Sequence, residues 1–190
     1  MWLRFDTGRC TGCGACIVGC MDEHDSAVPR RVRRLYVRES MTDGRVAVRY
    51  YTIACQHCAE AACVKACPRG CYFREESSGF VLQNAVACTH CGQCAAACPF
   101  HAIAFARDGR AYKCDVCLER RAAGQTPRCV ESCRVGAITA ETSDASEHAA
   151  HTSALRAEVG ELITRQGGDL GAQCGRMRAE VGELITRAGR

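Results

Sequence analysis

The sequence predicts an α+β fold of two small cysteine-bound units, one nested inside the other along the chain, with a helical tail behind them. Three observations lead there. The 190 residues carry 18 cysteines, most of them in four closely spaced quartets. Short strand-and-turn signals fill the gaps between quartets. Beyond about residue 141 the composition shifts and a ten-residue stretch occurs twice. The hydrophobic share of 47% is inflated by cysteine, and only 6% of the chain is aromatic. Side-chain burial alone is a thin basis for such a fold. Metal ligation can make up the difference, because metal-binding free energy becomes folding free energy.

The quartets come in order along the chain. The first is Cys10, Cys13, Cys16 and Cys20; the second is Cys55, Cys58, Cys63 and Cys67, closed by Pro68. The third is Cys88, Cys91, Cys94 and Cys98, closed by Pro99; the fourth is Cys114, Cys117, Cys129 and Cys133. Cys71 and Cys174 are left over. The third quartet has the C-x2-C-x2-C-x3-C-P spacing of bacterial ferredoxins, and the first has it with Met21 in place of proline. In such a run three cysteines on one tight loop face one cube of iron and sulfur. The fourth follows on a short helix and reaches a neighbouring cube. Small residues let the loop wrap closely: Gly12, Gly14 and Ala15 in the first quartet, Gly92 and Ala95 in the third. A single C-x2-C pair is ambiguous with structural zinc. Four quartets, two of them ending in Cys-Pro, are read as four [4Fe-4S] clusters on sixteen cysteines. Disulfides are a poor alternative, because C-x2-C pairs are too local to staple a fold.

The gap between Cys67 and Cys88 is short. Tyr72-Phe73-Arg74, Ser77-Ser78-Gly79 and Phe80-Val81-Leu82 read as a hairpin. The second and third quartets are therefore taken as one unit over residues 55–101, with Cys55, Cys58, Cys63 and Cys98 on one cluster and Cys88, Cys91, Cys94 and Cys67 on the other. The outer quartets form a second unit from residues 1–54 and 102–140. There Cys10, Cys13, Cys16 and Cys133 hold one cluster, and Cys114, Cys117, Cys129 and Cys20 hold the other. Spacing favours this nested order without excluding others. Asp43-Gly44 marks a hairpin between strands near Leu35–Val37 and Val46–Ile53, and Asp108-Gly109 marks another turn. Both units are expected to be ferredoxin-like.

These residues resemble a known family, the four-cluster iron–sulfur subunits of the dimethyl sulfoxide reductase type, over roughly residues 3 to 140. The most specific stretches are Cys55-Gln56-His57-Cys58 with its gap to Cys63, and Tyr112-Lys113-Cys114-Asp115-Val116-Cys117 followed by Thr126-Pro127-Arg128-Cys129. In that family the nested pairing is the rule. The resemblance implies a non-catalytic electron relay. One partner would be a large catalytic subunit with a molybdenum or tungsten pterin, oxidising formate or an aldehyde. The other would be a flavoprotein, a ferredoxin, a hydrogenase or a membrane quinone subunit. Alternatives are a polyferredoxin subunit of a hydrogenase or carbon monoxide dehydrogenase system, and a metal-stabilised scaffold module. The chain departs from the family pattern at Ala61-Ala62 before Cys63, at Arg134 after Cys133, and at Cys71.

Ser, Thr, Ala and His dominate residues 141–153, which read as a linker. The tail, 154–190, holds two copies of one sequence, Arg156 to Arg165 and Arg178 to Arg187. Leu155, Val159, Leu162 and Ile163 share one helical face, as do Met177, Val181, Leu184 and Ile185. Two identical stripes favour docking to a partner or higher-order assembly over cover for the chain's own core.

His57 and His90 lie inside cluster loops, where they tune potential or simply pack. Lys113, beside Cys114, either brings a positive charge to a cluster or is solvated. Arg30, Arg31, Arg33, Arg34 and Arg38 read as a solvated face, or as contacts to an acidic partner. The formal charge is +4. Four clusters with four thiolates each, at about −2 apiece, bring the loaded protein to roughly −4, which speaks against nucleic acid as a partner. No apolar run reaches the roughly 18 residues of a membrane span, and no secretory segment is seen. A reducing cytoplasm is the expected setting, and export on a partner's signal is compatible with it.

Overall fold

The computed structural model describes residues 2–24, 32–106, 108–142 and 144–166. The second copy of the tail repeat, Cys174, Arg30 and Arg31 lie outside the described residues.

Strand β1 (Trp2–Phe5) leads into helix α1 (Ala15–Glu23). Strands β2 (Arg34–Thr42) and β3 (Arg45–Ile53) form the hairpin marked by Asp43-Gly44, with Thr42 opposite Arg45. Both turn residues have positive φ, 51° and 74°, the backbone of a two-residue type I′ turn. Then come α2 (Ala62–Ala66), the hairpin β4 (Tyr72–Arg74) with β5 (Val81–Gln83), and α3 (Gln93–Ala97). A hairpin of β6 (Ala104–Phe105) and β7 (Ala111–Tyr112) turns at Asp108-Gly109. Helices α4 (Leu118–Ala122) and α5 (Arg128–Glu131) precede β8 (Ile138–Glu141) and α6 (Ala145–Gln166).

Among the described residues the sheets are four separate antiparallel pairs. Three are hairpins. The fourth joins β1 to β8, with Phe5 opposite Ile138 and Trp2 opposite Glu141. This long-range pairing brings the two ends of the expected outer unit together. The helices α1 and α5 pack beside it: a Cβ on Gly19 would strike Ser132. Arg120 reaches Glu23 at 3.2 Å, and Arg128 reaches Asp22 at 3.5 Å.

The largest core gathers Phe5, Ile17, Tyr36, Tyr51, Ile53, Phe100 and Ile138 under one face of α6. A second core holds Ala61, Tyr72, Val81, Ala95, Ile103, Phe105 and Ala111. The β6–β7 hairpin therefore packs on the inner unit, not on the outer one to which the sequence boundary at residue 102 assigned it.

Two further expectations are corrected. Residues 145–153 are not a linker but the first turns of a 22-residue helix. Asp144 starts it by accepting the N–H groups of Ser146 and Glu147 at 2.8 and 2.9 Å. Its alanines are good helix formers. The composition resembled a linker because two of its polar residues, His148 and Thr152, face inward. His148 stacks on Trp2 with ring centroids 3.8 Å apart, and it bonds Gln56 O at 2.7 Å. The first tail copy is not a free docking stripe either. Leu155, Val159, Leu162 and Ile163 are all buried in the chain's own core. Tyr51 donates its hydroxyl to Glu158, and the Gln166 side chain pairs with both backbone groups of Val37. Among the described residues no helix is long and apolar enough to cross a membrane.

Candidate metal centres

The four quartets share one local device. The residue two beyond each leading cysteine takes a left-handed backbone: Gly12 at φ 73°, His57 at 47°, His90 at 60° and Val116 at 60°. That turn aims the residue's N–H back at the cysteine sulfur. His57, His90 and Val116 each donate to the Sγ of Cys55, Cys88 and Cys114 at 3.4 Å. Gly12 does the same for Cys10. A Cβ at Gly12 would also strike the Tyr50 ring, so β3 packs directly on this loop. A matching bond recurs at the closing cysteines of three quartets. Cys71, Ala102 and Ala137 donate N–H to Cys67, Cys98 and Cys133 at 3.4, 3.4 and 3.2 Å. Sulfur that accepts such bonds is stabilised as thiolate.

The thiols gather across quartets. Cys55, Cys58, Cys63 and Cys98 line one space with Val81, Phe100 and Ile103. Cys67, Cys88, Cys91 and Cys94 line another, which Cys71 also borders. In the outer unit, Cys10 has Cys16, Cys13 and Cys133 as charge neighbours. Cys20 has Cys129 and Cys117, and Cys114 lies near Cys129 and Cys20. Cys114 also neighbours Cys55, linking the outer unit to the inner one.

Burial makes these thiols reluctant acids. It pushes Cys20 and Cys63 up to about 12, and Cys58, Cys94 and Cys117 up to about 11. Cys114 is raised well above the ordinary thiol value by the same cause. Such groups keep their protons unless metal takes the proton's place. The 17 described cysteines are all free of disulfides. In the inner unit the thiols gather four to a space, a donor set that fits a [4Fe-4S] cluster.

The other expected residues divide. His57 is buried edge-on against Phe80, 5.0 Å between centroids. Burial, then nearby Lys113, lowers its pKa well below the usual value, so the ring is neutral. His90 contributes its backbone turn. Lys113 is buried, not solvated: its Nζ donates to Val81 O and to Cys114 O, and it borders the space lined by Cys55 and Cys63. Arg33 departs most from the sequence reading. It is 5% exposed and donates to the sulfur of Cys129 at 3.6 Å. Arg38 lies over Tyr51 and bonds Glu158 O. The arginine run is thus part of the chain's own packing from Arg33 onward. Its local sequence gives no sign of this, because the sulfur that Arg33 meets lies 96 positions away.

Residues 46–143 match the family model of the 4Fe-4S dicluster domain. The chain belongs to this family. Curated relatives agree. One subunit of the anaerobic dimethyl sulfoxide reductase of Haemophilus influenzae is 37% identical over 144 residues, 70% of this chain and 70% of its own. The thiosulfate reductase electron transfer subunit PhsB of Salmonella typhi is 38% identical over 151 residues, 76% of this chain and 77% of its own. Protein NrfC of Escherichia coli is 38% identical over 143 residues, 70% of this chain and 61% of its own. This dicluster-family chain is accordingly an iron–sulfur electron-transfer subunit and not a catalytic one, with [4Fe-4S] clusters as its cofactors, four by its cysteine complement.

Proposed function

We propose that the chain relays single electrons between a large molybdenum- or tungsten-pterin subunit and a second redox partner. The observation that supports this is the gathering of cysteines from different quartets, Cys98 with Cys55, Cys58 and Cys63, and Cys67 with Cys88, Cys91 and Cys94, which we extend to four sets. Their proposed order in space is Cys10, Cys13, Cys16, Cys133; then Cys20, Cys114, Cys117, Cys129; then Cys55, Cys58, Cys63, Cys98; then Cys67, Cys88, Cys91, Cys94. Helix α1 carries Cys16 and Cys20, and so links the first two sets. Cys114 lies in a core cluster against which Cys55 packs, and this links the next two. Helices α2 and α3, with Cys63 and Cys94 inside them and Cys67 and Cys98 at their ends, link the last two. When bound, each cluster supplies a one-electron carrier. The thiolates hold it, the N–H groups two and four residues on donate to sulfur, and the apolar walls exclude water.

Two of the relatives named above take their names from dimethyl sulfoxide and thiosulfate reductases. A reductase of that type therefore stands beside aldehyde oxidoreductase and formate dehydrogenase as the catalytic partner. A flavoprotein or ferredoxin is the proposed second partner. A reducing cytoplasm is the proposed setting. The test is anaerobic purification of the native complex with metal analysis. Roughly sixteen irons in this chain, with molybdenum or tungsten in a co-purifying large subunit, is the expected result. Nickel in the partner would move the assignment to a hydrogenase or carbon monoxide dehydrogenase system. Zinc in this chain would end it.

A further inference from the structure

Arg33 is a buried cation with no carboxylate in ion-pair reach among the described residues. A guanidinium taken out of water needs an anionic partner and a full set of acceptors. Its acceptors are few. One terminal nitrogen donates to Thr52 O and Thr52 Oγ1, both at 3.4 Å, and the other donates to Cys129 Sγ at 3.6 Å. Thr52 Oγ1 in turn lies 3.4 Å from Cys16 Sγ. The groups whose thiolate charge would act most strongly on Arg33 are Cys129, Cys114, Cys16 and Cys20. Cys16 belongs to the first thiol set, and the other three belong to the second. Arg33 and Thr52 thus bridge two sets of ligands.

We infer that Arg33 is the shared counter-charge of these two clusters, setting their potentials above those they would have without it. This rests on the four-cluster reading. The physics is direct. Reduction adds one negative charge to a cluster, and a fixed cation in a buried site favours the more negative state. Because it faces both sets, the same cation offsets the repulsion between two neighbouring clusters reduced at once. Lys113 stands in a similar relation to the inner unit, but its Nζ is spent on two carbonyls. Arg33 is the buried cation that donates to a proposed ligand sulfur.

Potentiometry followed by electron paramagnetic resonance tests this on the intact chain, with iron content measured on the same samples. Arg33→Met is expected to lower the reduced-to-oxidised ratio at least tenfold at fixed potential in two of the four clusters, which is about 59 mV for a one-electron couple. Arg33→Lys keeps the charge and is expected to stay within about threefold of the wild type. Arg45→Met, at the exposed tip of β3, controls for net charge and is expected to move nothing. Full iron with four unmoved midpoints in Arg33→Met overturns the inference. So does Arg33→Lys falling as far as Arg33→Met, which would assign the effect to shape. If Arg33→Met comes out short of iron, Arg33→Gln, which retains a donor toward Thr52 and Cys129, takes its place under the same two criteria. Loading that fails in both neutral variants and returns with Arg33→Lys supports the charge. A wild-type chain far below sixteen irons sinks the relay reading itself and is thereby told apart.

Discussion

The two units are held by different means. Around the inner pair of thiol sets the core is small: Ala61, Ala95 and Ala111, two cysteines, and a few larger side chains such as Tyr72 and Phe105. Its strands are two or three residues long. Around the outer pair, Phe5, Ile17, Tyr36, Tyr51, Ile53 and the apolar face of α6 make a core of ordinary kind, which also takes in Phe100 and touches Cys55, Cys58 and Cys98 of the inner unit. The lesson is that one cofactor type can weigh more in the stability of one half of a protein than in the other. The inner half has the smaller apolar core of its own, so thiolate–metal bonds carry a larger share there. The outer half has apolar burial worth about 1.5–3 kcal/mol for each large side chain.

Removal of iron gives the sharpest break between them. Stripping metal anaerobically is expected to abolish amide protection across β4–β5 and β6–β7, since a lone two-stranded pair is marginal in water. Protection in β2–β3 and along the buried face of α6 is expected to outlast it. Hydrogen exchange followed by mass spectrometry reads both. Simultaneous loss everywhere would erase the contrast between the halves.

A smaller effect comes from the opposite side. Ile163, 1% exposed, anchors α6 in the outer core. Ile163→Ala is expected to cost about 2–5 kcal/mol in the stability of that half. The inner iron should remain in place. Thermal melts paired with iron counts would show it; loss of inner clusters in step with the outer core would mean the halves fold as one.

The mildest change is at the start of α6. Asp144 accepts two backbone N–H groups there, and the backbone bond from Glu147 leads in lowering its pKa. A lowered carboxylate pKa means that its stabilisation is fully present above the unfolded value of about 3.9 and fades as pH falls through the folded value. Asp144→Ala should therefore speed exchange at Ser146 and Glu147 at neutral pH, and should matter little in strong acid. Exchange rates unchanged at pH 7 would deny the cap.

Much of this was readable in advance, and the reason lies in range. Asp43-Gly44 states its hairpin within two residues. Each cysteine quartet states its loop within about ten. What escaped depends on distant neighbours. Residues 145–153 look like a linker until Trp2 supplies a ring for His148 to stack on. Leu155 and Val159 offer a stripe whose partner cannot be told from sequence, and that partner proved to be the chain's own Tyr51 and Phe100 core. Arg33 sits among four arginines that read alike, and only the fold turns it toward Cys129. The left-handed turn at His57, His90 and Val116 was hidden for another reason. None of these residues is glycine, so their type did not advertise a positive φ.

The pairing of β1 with β8 also closes the outer unit late in synthesis. Cys10, Cys13 and Cys16 leave the ribosome more than a hundred residues ahead of Cys133, the sulfur that gathers with them. At common elongation rates that delay is on the order of ten seconds. On the proposed pairing the inner sets are complete by Cys98, while the leading thiols still wait for the nascent chain to deliver their fourth member.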